Sequence, residues 1–233
     1  QSLYPKEGNP LWEKESTKAV INTLKTYSKY SIDYPYPQAT SVHAAAIGME
    51  YPMICFNFGR PDKDGFYSEG TRFNMLGVII HEVGHNFFPM IVNSDERQWG
   101  WMDEGINSFL EYLTEQECYE NFPSSRGPAE SIVGYMASGQ QYMRPIMTTA
   151  DNIYSFNLGN NAYGKPASAL NILSTLDRCA GTGFVQFQSI PTNRASEWEF
   201  FTIGSDHYLA VANSEDGSTH NINSKLYKWN KCL

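Results

Sequence analysis

The sequence predicts an α+β protein, and three observations carry that prediction. Apolar residues recur at helical spacing in several segments before residue 178. Two short apolar runs between residues 40 and 58 read as strands. After Gly181-Thr182-Gly183 the pattern changes to brief β runs divided by turn residues.

Taken in order, Trp12, Val20, Ile21, Leu24, Tyr27 and Tyr30 predict a helix over 12–32, closed by Tyr34-Pro35-Tyr36-Pro37. Residues 40–47 and 51–58 are expected as strands, split by Gly48 and Pro52. Gly59 to Gly65 reads as a loop. Helices are expected over 69–90, 102–119 and 128–138, the last with Pro128 near its first turn. Residues 144–151 read as irregular, and Pro166 starts a helix to Leu176. Four strands then follow: 184–187, 197–203, 208–212 and 225–229. Four strands in about fifty residues is the size of one β-propeller blade. A module boundary is expected at 178–183.

Composition narrows the function classes. The net charge of −8, with no basic block, argues against nucleic acid and anionic membrane as partners. No apolar run approaches the length of a membrane span. Gln1 opens a polar, proline-containing segment rather than a leader-like one. Cys55, Cys118, Cys179 and Cys232 include no C-x-x-C pair, which disfavours a cysteine zinc site. They allow two disulfides or none, and small buried thiols are the plainer reading.

The most informative segment is His81-Glu82-Val83-Gly84-His85, with eighteen residues between it and Glu104. Histidines four apart on a helix share a face, so both imidazoles can reach one metal ion. A carboxylate from Glu104 supplies a third ligand and leaves a fourth position for water, the pattern of a catalytic zinc rather than a structural one. Glu82 is placed to take a proton from that water. The apolar stretch Phe73 to Ile80 reads as a buried helix entering the site. Glu104 lies on a second helix with apolar positions at 102, 106, 109, 110 and 113. The plain alternative is two core histidines beside an acidic surface helix.

Two further segments could contribute. Gly48-Met49-Glu50 is a glycine-initiated edge segment with one carboxylate, which could bind a terminal ammonium or simply be a solvated strand residue. Tyr163 stands just before a helix, where its phenol could donate to an oxyanion, although by itself it is one of fifteen tyrosines. His43, His207 and His220 have no ligand-spaced partner and read as ordinary strand or surface residues.

Together these motifs resemble the aminopeptidase N family of gluzincin zinc peptidases over residues 1–178. His81, Glu82, His85 and Glu104 match its H-E-x-x-H, eighteen residues, E pattern. Trp101-Met102-Asp103-Glu104-Gly105 matches W-L-N-E-G, with Asp103 in place of asparagine. Gly48-Met49-Glu50 corresponds to the family's G-x-M-E-N segment, with Gly48 directly before Met49, and Tyr163-Gly164-Lys165-Pro166 matches Y-x-K-G with proline in place of glycine. The resemblance implies a thermolysin-like catalytic domain, a small mixed sheet beside zinc-bearing helices. It implies one Zn2+ on His81, His85 and Glu104, Glu82 as general base, Tyr163 as oxyanion donor, and Gly48, Met49 and Glu50 as substrate-binding residues. The implied activity is removal of N-terminal residues from peptides with a free N-terminus.

Residues 183–233 resemble one EAR (EPTP) repeat, carried by Phe184 to Ile190, Trp198 to Phe201, Tyr208 to Asn213 and Leu226 to Trp229. Such repeats form blades in extracellular binding proteins, so an extracellular or periplasmic location is implied. A lone blade has unpaired edges, which suit a protein partner or self-association. Two rival readings follow: an endopeptidase, and a peptidase remnant acting as a binding module through the blade.

Overall fold

The structure, a computed structural model, describes residues 1–139 and 143–175 in full, and the backbone of 176–178, 184–192, 198–203, 206–211 and 222–229. It is a mixed α/β chain of two compact units, Gln1–Asn171 and Ile172–Leu233.

Helix α1 (Leu11–Tyr30) and helix α2 (Glu69–Gly84) form the centre of the first unit. Positions 12, 16, 19, 20, 23 and 27 of α1 lie along one stripe and are all buried. Against them pack Met75, Leu76, Ile79 and Val83 of α2, each with no exposed surface. Burial of each such side chain stabilises the fold by about 1.5–3 kcal/mol. Trp12 is fully buried, and its indole N–H donates to the Gly59 carbonyl at 2.6 Å. Ser68 caps α2, its hydroxyl accepting from the Thr71 N–H at 3.0 Å.

The expected helix over 69–90 is shorter than its pattern. It stops at Gly84, and His85 caps it in helical geometry. Pro89 is the reason: it lacks an N–H and pushes Phe88 away from helical backbone. The apolar run Phe87-Phe88 continues the pattern but packs as a turn.

A small mixed sheet flanks the helices, in the order β1 (Ser2–Leu3), β2 (Thr40–His43), β4 (Ile54–Asn57), β3 (Met49–Tyr51). The first two pairings are parallel and β3–β4 is antiparallel. The expected strand over 40–47 ends at His43. The run over 51–58 instead forms part of a hairpin, turned at Pro52-Met53, where Met53 takes φ 63°. This places Glu50 on the edge strand, opposite Cys55.

The segment expected as a helix over 102–119 has two parts. Trp101–Gly105 is a π-helical turn, and helix α3 (Ile106–Cys118) follows. Residues 128–138 hold only a 3-10 turn (Ala129–Ile132) and the four-residue helix α4 (Val133–Met136). Helix α5 (Ser155–Leu158) leads into a second π-helical turn, Gly159–Gly164, and then helix α6 (Lys165–Arg178). No described helix is long and apolar enough to cross a membrane.

The second unit contains an antiparallel sheet ordered β5 (Phe184–Thr192), β8 (Ile222–Trp229), β7 (Asp206–Val211), β6 (Trp198–Ile203). The four strands expected from the sequence fall within one or two residues of these at most ends, with β5 and β8 longer than expected. Cys55 and Cys118 are free thiols. Cys179, Cys232 and His220 lie outside the described residues, as does the side chain of His207.

Candidate metal centre

His81 and His85 sit on the last turn of α2 and its cap, and both are buried. Their Nε2 atoms are 3.2 Å apart. The Glu104 carboxylate, carried in by the π-helical turn before α3, approaches them at 3.0 Å and 3.3 Å. Donor atoms bound tetrahedrally to one zinc at about 2.0–2.1 Å lie about 3.3 Å from one another. The three protein atoms already have that spacing.

The other imidazole nitrogens are engaged. His81 Nδ1 lies 2.9 Å from the Glu111 carboxylate, and His85 Nδ1 lies 2.8 Å from the Phe88 carbonyl. Both partners are acceptors, so each Nδ1 can donate to its own, which leaves Nε2, on the Glu104 side, as the nitrogen of each ring that a metal can take. Metal-binding histidines are fixed in this way, through an acceptor on the far nitrogen. Phe88 owes its place to the chain reversal before Pro89. Asp103 adds a carboxylate oxygen 3.3 Å from His85 Nδ1. The donor set therefore fits a zinc ion. Removing the Glu111 carboxyl (Glu111→Gln) should weaken zinc binding about 10–100-fold, measured by competition with a chelator. Unchanged affinity would remove Glu111 from the support of His81.

Charge points the same way. Burial opposes protonation of both imidazoles, but the surrounding carboxylates more than offset it, holding His81 up at about 9 and His85 well above its ordinary value. Burial also raises Glu104, yet the two imidazoles pull it far below the carboxylate range. Such a cluster calls for positive charge at its centre, which protons or a cation can supply.

Glu82 projects beside this group and is buried. Burial raises its carboxyl to about 7 against the pull of His81 and His85. Gly48 is set hard against it: a Cβ there would come within 2.5 Å of Glu82 Oε1. The glycine thus lets the strand region close on the carboxylate. Glu50 is half-buried, and burial raises its carboxyl as well. Its oxygen, a Glu82 oxygen and a His85 nitrogen lie within 4.8 Å of one another. Met49 and Tyr51, its neighbours on β3, are exposed. Tyr163 stacks near His81, with ring centroids 5.7 Å apart, and its hydroxyl neighbours Glu104. Burial raises this phenol well above its ordinary range. His81, Glu82, His85, Glu104, Glu50, Gly48 and Tyr163 therefore occur together, while His43 lies apart, edge-on to Trp12.

Sequence reasoning missed several supporting residues. Asn107, fully buried, donates from Nδ2 to the His81 carbonyl at 2.8 Å and accepts from the Tyr27 hydroxyl at 2.8 Å, tying α1, α2 and α3 together. Glu111 lies two helical turns beyond Glu104, a spacing that would have placed it on the same face. Arg126 lies over the Tyr163 ring, and no sequence signal marks it.

Deeper along α3, Glu115 is buried beside Ser124, its hydrogen-bond partner. Burial and the nearby Glu111 hold its carboxyl well above 4.5. A raised folded value means that the native state keeps a proton the unfolded chain releases. Stability contributed by the neutral form is full below pH 4.5 and is lost as pH rises through the raised value. Glu115→Gln should flatten that decline, read as the urea midpoint from pH 5 to 9. An unaltered slope would contradict the assignment.

Comparison with known proteins divides the chain. The EPTP domain family matches residues 183–230. A stretch of 46 residues is 59% identical to the mouse thrombospondin-type laminin G domain and EAR repeat-containing protein, covering 20% of this chain and 7% of that protein. Rice aminopeptidase M1-A is 18% identical over 238 residues, 98% of this chain and 26% of the relative. Chicken aminopeptidase Ey is 28% identical over 114 residues, 46% of this chain and 11% of the relative. The chain thus spans about a quarter or less of the length of these relatives. It contains an EAR-type repeat, and it has remote similarity to aminopeptidases.

Proposed function

We propose that residues 1–178 are a thermolysin-like gluzincin catalytic domain that holds one Zn2+ on His81, His85 and Glu104 and removes N-terminal residues from peptides. The observation that carries this reading is the spacing of the three donor atoms, 3.0–3.3 Å apart, with both far nitrogens held by acceptors. Zinc in such a site supplies Lewis acidity, polarising a carbonyl oxygen and acidifying a water.

The chain's own residues do the rest. The Glu82 carboxylate accepts the proton of the attacking water and returns it to the departing amine nitrogen. Burial, which raises its carboxyl, favours its holding that proton until the amine departs. The Tyr163 hydroxyl donates to the substrate oxygen as negative charge develops there. Glu50, half-buried on the edge strand, accepts charge-assisted hydrogen bonds from the free α-ammonium, with Gly48 and Met49 beside it. The remote similarity to two aminopeptidases supports this assignment.

The test compares leucine amide with its N-acetylated form. Hydrolysis of the first alone is expected, and Glu50→Gln should raise KM for it. Equal hydrolysis of both would replace the exopeptidase reading with an endopeptidase one.

A second reading rests on the EPTP match at residues 183–230. In it, residues 183–233 form a blade that recruits an extracellular or periplasmic protein, or a second copy through its edges, and residues 1–178 are a scaffold. Bound zinc without turnover of any free-amine amide would favour it.

A further inference from the structure

The guanidinium carbon of Arg126 lies 4.1 Å from the centroid of the Tyr163 ring. A guanidinium held over a ring by its charge keeps N–H donors that are not aimed at the ring for a planar acceptor. Among the described residues no carboxylate comes within ion-pair distance of Arg126 and no acceptor hydrogen-bonds to it, although its charge reaches the buried Glu115 carboxyl. It is half-buried, so part of it is accessible.

Its loop is firmly built. Ser124 bonds to Glu115 and accepts from Gln116 Nε2 at 2.9 Å. Gly127 takes φ +98°, and a Cβ there would fall within 2.5 Å of Tyr112. The Pro128 carbonyl accepts from Ser168 of α6 at 3.2 Å. Both sides of Arg126 are thus anchored to helices that carry the site.

The surrounding charge is of the other sign. Asp103, Glu104 and Glu111 lie around the two imidazoles, and their charge would repel an anionic substrate group. The separations from His81 to Tyr163 and from Tyr163 to Arg126 together cover no more than about three residues of extended chain, at roughly 3.3–3.6 Å each.

We propose that Arg126 is a substrate-binding residue that holds a peptide carboxylate through the N–H donors that its place over the Tyr163 ring leaves available, with short peptides preferred where that carboxylate is the C-terminus. This rests on the peptidase reading above. The carboxylate can belong to the C-terminus or to an acidic side chain beyond the cleaved bond.

The test uses the zinc-loaded full chain with Leu-Gly-Gly, Leu-Gly-Gly-amide and Leu-Glu-Gly-amide. A charge-assisted pair should give a carboxylate-bearing peptide a KM lower than that of the neutral amide by about tenfold or more. Preference for Leu-Gly-Gly assigns the terminal carboxylate, and preference for Leu-Glu-Gly-amide assigns the side chain. Arg126→Gln should bring the ratio close to one, and Arg126→Lys should keep part of it, because charge remains but the fork is lost. Calorimetric titration of the same peptides into zinc-loaded Glu82→Gln chain reads the preference without turnover. It therefore separates failure of this proposal from failure of the peptidase reading. Equal binding of acid and amide peptides, or a ratio unchanged by Arg126→Gln, would overturn the proposal.

Discussion

Glu82→Gln yields a chain that keeps its zinc and loses turnover, by about 10²–10⁴-fold or more. The substitution keeps the shape of the side chain and removes only its ability to accept a proton. Glu82 is not among the three converging donors, so the metal content of the variant should match the parent. The fold should persist as well, because a carboxyl already held near 7 by burial is replaced by a neutral group of equal size. Metal analysis and hydrolysis of leucine amide on the same sample check both halves. Full activity would remove Glu82 from the mechanism, and loss of zinc would make it a ligand instead.

Tyr163→Phe should lower kcat by about 10²–10³-fold, the range for one oxyanion donor, with a much smaller change in KM. The ring contributes stacking on His81 and under Arg126, and phenylalanine retains both contacts. Only the hydroxyl is removed. A fall confined to KM would instead make Tyr163 a binding surface.

The local geometry of this site was legible where it depends on neighbours in sequence. Four-residue spacing on α2 placed His81 and His85 on one face, and apolar periodicity located α1, α2 and the body of α3. Alternation and turn residues located β5 to β8. What could not be read depends on distant partners. Both π-helical turns, at Trp101–Gly105 and Gly159–Gly164, insert an extra residue into the helical repeat and aim Glu104 and Tyr163 inward. A pattern averaged over several turns is blind to that insertion, although such turns often mark functional sites. The end of α2 was set by Pro89 rather than by loss of apolar character. Asn107 is polar and falls outside the apolar positions of its helix, yet it is fully buried because α1 and α2 supply its partners. Arg126 takes its meaning from a ring thirty-seven positions away.

The edge position of β3 likewise follows from a hairpin that the sequence split only roughly. β3, which carries Glu50, is an edge strand among the described residues, and an extended peptide can lie alongside such an edge. Met49 and Tyr51, on either side of Glu50, are exposed. Side-chain preference would then depend on what those two residues contact.

X-ray absorption at the zinc edge, on the full chain loaded with one equivalent of zinc, tests the central claim most directly. Two imidazole nitrogens and carboxylate or water oxygens at about 2.0–2.2 Å are expected, with one imidazole lost in His85→Ala. A sulfur-containing shell, or a spectrum unchanged by His85→Ala, would contradict it.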